Sequence, residues 1–348
     1  MLTQIDRQMV RSWYRRSVGP LLAELTGKRS HRTGPRIAVV GNCQSFGVAY
    51  AMQLLDPLAS VDRFAVHMKA HVDVERLAKT LSGYDYVFSH EFQSGLLTCG
   101  DSGDLRRLLP KAIFFPFFWF PAYHPDQIHL LDETRGNAGV FGPLGPYHSA
   151  LALFAFRKGL TLDEANALFN ENVFDEVGYF DAWNAAVAEL VDNAAKYSLD
   201  LREHVVRWSR RGVFMWSNNH PKSFVLYDLA KTLTARAGLP VRDVDWDYYA
   251  IDDLGRSDVF PVYPPLAERF GHPGSYTFKR GNYRLSSSVG DSLTLPQFLA
   301  GSYKLYGRSA PSQISNPRVE NWLADVTVGD KLVALARENS KAGLTHVR

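Results

Sequence analysis

Apolar residues recur in different rhythms along the chain. Ile5, Met9 and Trp13 repeat at i+4 with Val10 and Tyr14 beside them, while Arg7, Arg11 and Arg15 fall on another face. That spacing predicts a short basic amphipathic helix, ended near Gly19-Pro20. From residue 36 onward, short β-branched or aromatic runs alternate with helical patterns. Strands are predicted at Arg36–Val40, Phe64–Met68, Tyr84–Phe88 and Ala112–Phe118, with a helix opening in AYAMQLL after the first and another over Val74–Leu81. The alternation predicts an α/β fold, a central and mostly parallel sheet with helices on both faces.

Residues 150–210 read as a helical insertion. Thr161 and Glu164 fit a capping box, a long pattern runs on to Tyr197, and a further helix spans about Leu201–Arg210. Gly212–Trp216 is a strand-like run leading through SNNHPK into a helix stopped by Gly238. The remainder is rich in Tyr, Pro, Gly and Ser and predicts loops and short helices. Three parts follow: residues 1–35, a basic helix and polar linker; 36–240, an α/β domain (helical insertion about 150–210); and 241–348, a loop-rich extension packed on that domain.

With 46% hydrophobic and 22% charged residues, the chain has the composition of a soluble globular protein and not of a disordered one. Two cysteines exclude a disulfide scaffold and a cysteine-based structural zinc site. No apolar run approaches the roughly 18 residues of a spanning helix, and the first residues hold no apolar signal core. A cytoplasmic location is expected. The net charge of +3 is uneven. Residues 1–36 hold eight basic and two acidic residues, a balance of +6, whereas the remaining 31 basic and 34 acidic residues balance at −3. A near-neutral body argues against a nucleic-acid partner. The apolar face of the leader helix either docks on the body or, through residues 4–18, makes weak contact with an anionic membrane surface, which would put the protein at the inner membrane.

Four segments carry candidate chemistry. Gly41-Asn42-Cys43-Gln44-Ser45 sits where the first strand should end and a helix begin, the edge at which open α/β sheets bind ligands. A cysteine there should be biased toward thiolate, and the neighbouring N–H groups, with Asn42 or Gln44, could hold an oxyanion. Ser217-Asn218-Asn219-His220-Pro221-Lys222 also follows an apolar run and precedes a helix, so His220 is the candidate base for Cys43 and Lys222 a candidate phosphate contact. Lys69 and Arg63 are weaker phosphate candidates. If both runs are strands of one parallel sheet, Cys43 and His220 emerge at one carboxyl edge. His90 and His124, also at predicted strand ends, are alternative bases or substrate contacts. Glu91, Asp126 and Asp228 are candidate orienting acids, and residue types alone do not choose among them. Trp119, Phe120 and Tyr123 lie past the aromatic strand and could line a cleft. Cys99, His272, His67 and His71 read as surface or turn residues. No metal motif, GxGxxG, Walker or GxSxG pattern occurs.

The GNCQ turn after the first strand, the aromatic stretch ending in His124-Pro125-Asp126 and the later Asn219-His220-Pro221 together resemble the WcbI family of capsular polysaccharide biosynthesis proteins, over roughly residues 36–240. The resemblance implies coenzyme A binding and acetylation of a sugar hydroxyl, with acetyl-CoA as small-molecule donor and a saccharide as acceptor. The layout is also similar to that of the SGNH hydrolases, with Cys43 where their serine stands. The carry-over covers Cys43 with Asn42 and Gln44, His124 and His220. Cys43 would take the acyl group as a thioester with His220 as base, or His220 would deprotonate the acceptor while the Cys43 turn binds the thioester oxygen. A cysteine thioesterase or esterase, and a non-catalytic sugar- or nucleotide-binding protein, are the alternatives.

Overall fold

A computed structural model of the chain describes residues 4–19, 33–66, 71–132, 138–281, 291–310 and 313–344. The chain divides into two units, each assembled from three segments. The first comprises Met1–Phe118, Val191–His204 and Pro221–Leu254; the second comprises Trp119–Leu190, Val205–His220 and Gly255–Arg348.

The first unit is built on a parallel sheet of β1 (Arg36–Gly41), β2 (Ser60–Ala65), β3 (Tyr86–His90) and β4 (Ile113–Phe115), in the order β2-β1-β3-β4. β1 is central and buried at every position after Arg36, which is why it reads as an unbroken apolar run and not as an alternation. α1 (Gln4–Ser17) docks Ile5 and Met9 into the core beside Phe64 and Leu77. Its Ser12 hydroxyl lies 2.7 Å from that of Tyr84, and Arg15 pairs with Asp62 at 2.6 Å. α2 (Ser45–Leu55) follows β1. α3 (Val74–Leu81) buries Val74, Leu77, Ala78 and Leu81 at helical spacing, and Asp73 accepts the Arg76 N–H at 2.7 Å as its N-cap, a contact of about 1 kcal/mol. α4 (Ser102–Leu108) is closed by a capping box between Asp101 and Asp104. The Ser223–Arg236 helix packs on α2 so tightly at its first turn that a Cβ on Gly47 would meet Leu226 at 2.4 Å.

The second unit is mainly helical. Ala150–Arg157, Leu162–Asn166, Glu171–Glu176 and Leu295–Tyr306 enclose an apolar core with Phe154, Phe169, Tyr263 and Phe298. The predicted Thr161–Glu164 capping box is present. At the centre, Asp126 accepts from Tyr179 Oη (2.7 Å), Tyr263 Oη (2.8 Å) and the Leu151 N–H (2.9 Å). The candidate orienting acid is thus committed to the core. The extension has few regular elements as far as residue 294, but beyond it come helices at Leu295–Tyr306, Pro317–Ala324 and Val326–Lys341. Val319, Leu332 and Ala336 join the core there, so tertiary burial sustains helices that a mixed composition conceals.

The Gly212–Trp216 run differs from expectation. Its strand, Met215–Ser217, pairs with His220–Pro221 in a separate two-stranded ribbon and is not a strand of the β2-β1-β3-β4 sheet. Its ladder partner is the His220–Pro221 pair just beyond Asn218-Asn219, so its pairing closes locally. The shared-edge argument therefore does not carry His220 to Cys43.

Candidate active site

The strand order places a topological switch at β1/β3, and the GNCQ turn leaves β1 there, outside the carboxyl ends of the strands. Gly41 is required for space: a Cβ would lie 2.3 Å from Nδ1 of His90. His90 is fully buried at the end of β3, its ring 4.1 Å from that of Phe115. Burial drives its pKa down to about 3, against the pull of the Pro116 carbonyl. His90 therefore forms the neutral wall behind the turn. It is neither accessible nor basic enough for the second-base role expected of it.

The turn is braced from several directions. Asn42 Oδ1 accepts the Gln44 N–H at 3.0 Å, and Ser45 Oγ donates to the Asn42 carbonyl at 2.6 Å. Gln44 is wholly buried; its Nε2 donates to the Phe118 carbonyl (2.9 Å) and its Oε1 accepts the Phe118 N–H (3.0 Å). The side chain expected to help hold an oxyanion instead ties the turn to the segment after β4. Arg63 reaches in from β2. Its Nε donates to Ser45 Oγ at 2.9 Å, its guanidinium lies 3.4 Å from the Asn42 carbonyl, and it sits 5.7 Å from the centre of the Phe46 ring.

Cys43 is half-buried in this turn, whereas Cys99 is exposed. Burial pushes the Cys43 thiol up, and the nearby charge of Asp253 adds to the rise. Arg63 and the N–H groups of Gln44 and Cys43 pull the other way without winning. The expected bias toward thiolate is thus reversed, because desolvation outweighs the helix terminus. Iodoacetamide at about pH 8 should label Cys99 before Cys43, and Arg63→Ala should slow Cys43 further by removing its main source of thiolate stabilisation. Peptide mapping of labelled sites over time checks this; faster labelling of Cys43 would restore the thiolate.

Lys222 stands at the N-cap position of the Ser223–Arg236 helix, half-buried, with its pKa drawn down by burial and partly held up by Asp252. Asp252 Oδ2 also accepts the Ser223 N–H at 3.0 Å. Asp252 and Asp253 are adjacent in sequence; the first supports the Lys222 charge and the second opposes a Cys43 thiolate. Lys69 and His67 lie outside the described residues.

In the second unit, His220 is buried in the two-stranded ribbon and is not the open loop residue its polar neighbours suggest. Tyr147 holds it. The Tyr147 hydroxyl stands 3.1 and 3.3 Å from the two imidazole nitrogens and donates to Asn219 Oδ1 at 2.9 Å. Ser217 Oγ lies 3.1 Å from both Tyr147 Oη and Asn219 Oδ1. With the phenolic proton on Asn219, the Tyr147 oxygen can accept from the imidazole and so fixes the orientation of the ring. His129 faces the same tyrosine, ring centres 5.5 Å apart, and Trp119 lies 5.7 Å beyond it. Tyr147 and His129 escaped sequence reasoning, since neither lies in a recognisable motif. Three expectations resolve differently: His124 is buried with Nδ1 3.3 Å from the Pro261 carbonyl, and Phe120 and Tyr123 pack with Phe214 in the core. Glu91 is exposed and pairs with Arg106 at 3.1 Å, and Asp228 lies on the Ser223–Arg236 helix. Among the described residues, no cluster of three or more His, Cys, Asp or Glu could hold a metal ion, and no helix is long and apolar enough to cross a membrane.

No curated protein matches the chain. It is similar to a solved structure of WcbI, described as a polysaccharide biosynthesis enzyme and as native protein without a disulfide bond between coenzyme A and one of its cysteines. The likeness covers 87% of this chain and 99% of that one, with a TM-score of 0.57 and 15% identity, and it shows a common fold. The family model for the polysaccharide biosynthesis enzyme WcbI matches residues 36–242, more than half of the sequence. This chain therefore belongs to the WcbI family of polysaccharide biosynthesis enzymes.

Proposed function

We propose that the protein transfers an acyl group, acetyl being the simplest, from coenzyme A to a saccharide hydroxyl. The observation that carries this reading is the braced Cys43 turn at the β1/β3 switch, with Arg63 clamping it and Lys222 at the N-cap of the helix that packs on α2. Coenzyme A carries several phosphates, and these cations suit them. The structural relative, whose description pairs coenzyme A with a cysteine, supports the same donor. Because the Cys43 thiol is held protonated, direct transfer is favoured over an acyl-cysteine. His220 takes the proton of the acceptor hydroxyl, the oxygen attacks the thioester carbon, and the C–S bond breaks. Coenzyme A then leaves as its thiol with the proton His220 returns.

Initial rates with donor and acceptor varied together test this. Direct transfer gives intersecting lines and no acetyl adduct on Cys43; parallel lines with a Cys43 adduct would replace it with the thioester route. Coenzyme A at about 100 times its dissociation constant should stabilise the chain by about 2.7 kcal/mol. Arg63→Ala and Lys222→Ala should each weaken that effect, less so as salt rises. Absence of any thermal shift would remove coenzyme A as the donor.

A further inference from the structure

α1 has two apolar faces, and the core uses one. Ile5 and Met9 point inward, whereas Val10, Trp13 and Tyr14 are 56, 57 and 48% exposed. Arg7, Val10, Arg11 and Tyr14 fall at i, i+3, i+4 and i+7, so two exposed arginines share one outward face with two of these apolar residues. Trp13 turns toward α3, where Asp6, Met9, Val10, Trp13, His71 and Arg76 line a groove of about 520 Å³. A helix already anchored by one face has no folding reason to present a tryptophan, a tyrosine and a valine between cations on the other.

We propose that this outward face of α1, with Trp13 and the adjoining groove, rests on an anionic bilayer surface. Charge complementarity selects that occupant. The first 36 residues carry a balance of +6 while the rest of the chain is at −3, so attraction to an acidic surface is concentrated at this end. Aromatic rings beside arginines match the interfacial zone, where the rings enter the headgroup boundary and the guanidinium groups stay at the phosphates. Two arginines and three apolar side chains give reversible attachment and not insertion.

Co-sedimentation of the full chain with vesicles of phosphatidylcholine alone, or mixed with phosphatidylglycerol, tests the proposal. Binding should require phosphatidylglycerol and weaken with salt. Each arginine at such a surface is worth about fivefold in partitioning. Arg7→Glu/Arg11→Glu should therefore lower binding about 25-fold or more, and Arg11→Glu alone about fivefold. Trp13→Ser/Tyr14→Ser should abolish binding with the thermal midpoint unchanged, since both rings are exposed. Equal binding to both vesicle types, no binding to either, or an unaffected Arg11→Glu variant would overturn the proposal. So would a Trp13→Ser/Tyr14→Ser variant that loses self-association of the free chain in light scattering, which would assign the face to a second copy.

Discussion

Replacing His220 by Gln should lower the proposed acyl transfer by a factor of about 10² to 10⁴, the range set by loss of a general base. Glutamine is the informative variant. His220 is buried and bonded to Tyr147, so alanine would leave a cavity and strand the phenol, confusing chemistry with folding. Tyr147→Phe keeps the ring and removes only the hydroxyl that orients the imidazole. It should reduce kcat about tenfold while leaving the KM for the donor near its original value, because Tyr147 acts through His220. A purely structural Tyr147 would lower the thermal midpoint and leave kcat alone. A His220→Gln protein that retains full transfer would remove His220 from the reaction and reopen the search at His129, which faces the same tyrosine.

What could be read from the residues followed how each element is buried. The parallel strands were legible because strands buried on both faces become continuous apolar runs; α3 was legible to its boundaries because its four buried residues keep helical spacing and Asp73 caps it. The capping boxes at Asp101–Asp104 and Thr294–Gln297 were equally available in principle, but the apolar pattern behind them is weak. The Gly212–Trp216 run reads as strand-like and fits the parallel sheet only on condition; its strand, Met215–Ser217, pairs with His220–Pro221 instead, since so short a run carries no information about its partner. At the site, the GNCQ turn was found by motif and position, but its chemistry was not. The rule that a helix N-terminus lowers a cysteine pKa is local, whereas the desolvation that overrides it comes from residues distant in sequence. Tyr147 is the plainest case. It lies 73 positions from His220, and its importance comes wholly from where the chain folds it.

The same blindness to burial hid a property of the whole molecule, its response to acid. His90 in the first unit and His148 in the second are both buried and neutral, with pKa values lowered to about 3 and about 4. His148 also uses both ring nitrogens, one 2.9 Å from the Val140 carbonyl and the other 3.3 Å from the Tyr306 hydroxyl. In the unfolded chain each titrates near its ordinary value of about 6.5, so between that pH and the folded value the unfolded state binds a proton that the folded state refuses. Their contribution is therefore complete above about pH 6.5 and is lost as pH falls through the window toward 4 and then 3. At about pH 5 each histidine should cost about 2 kcal/mol, roughly 4 kcal/mol together, a large share of the 5–15 kcal/mol typical of a folded protein. Carboxylates held low by their partners, such as Asp200 beside Arg202, act only at lower pH and do not obscure this window. Urea unfolding at about pH 7.5 and about pH 5 should show a midpoint that drops steeply with acid, and His90→Phe should lessen the drop by about half whatever it does to stability at neutral pH. A wild-type midpoint that is flat across that interval would mean that His90 or His148 gains a proton without unfolding, and that the walls of the Cys43 turn and of the second core are open to water.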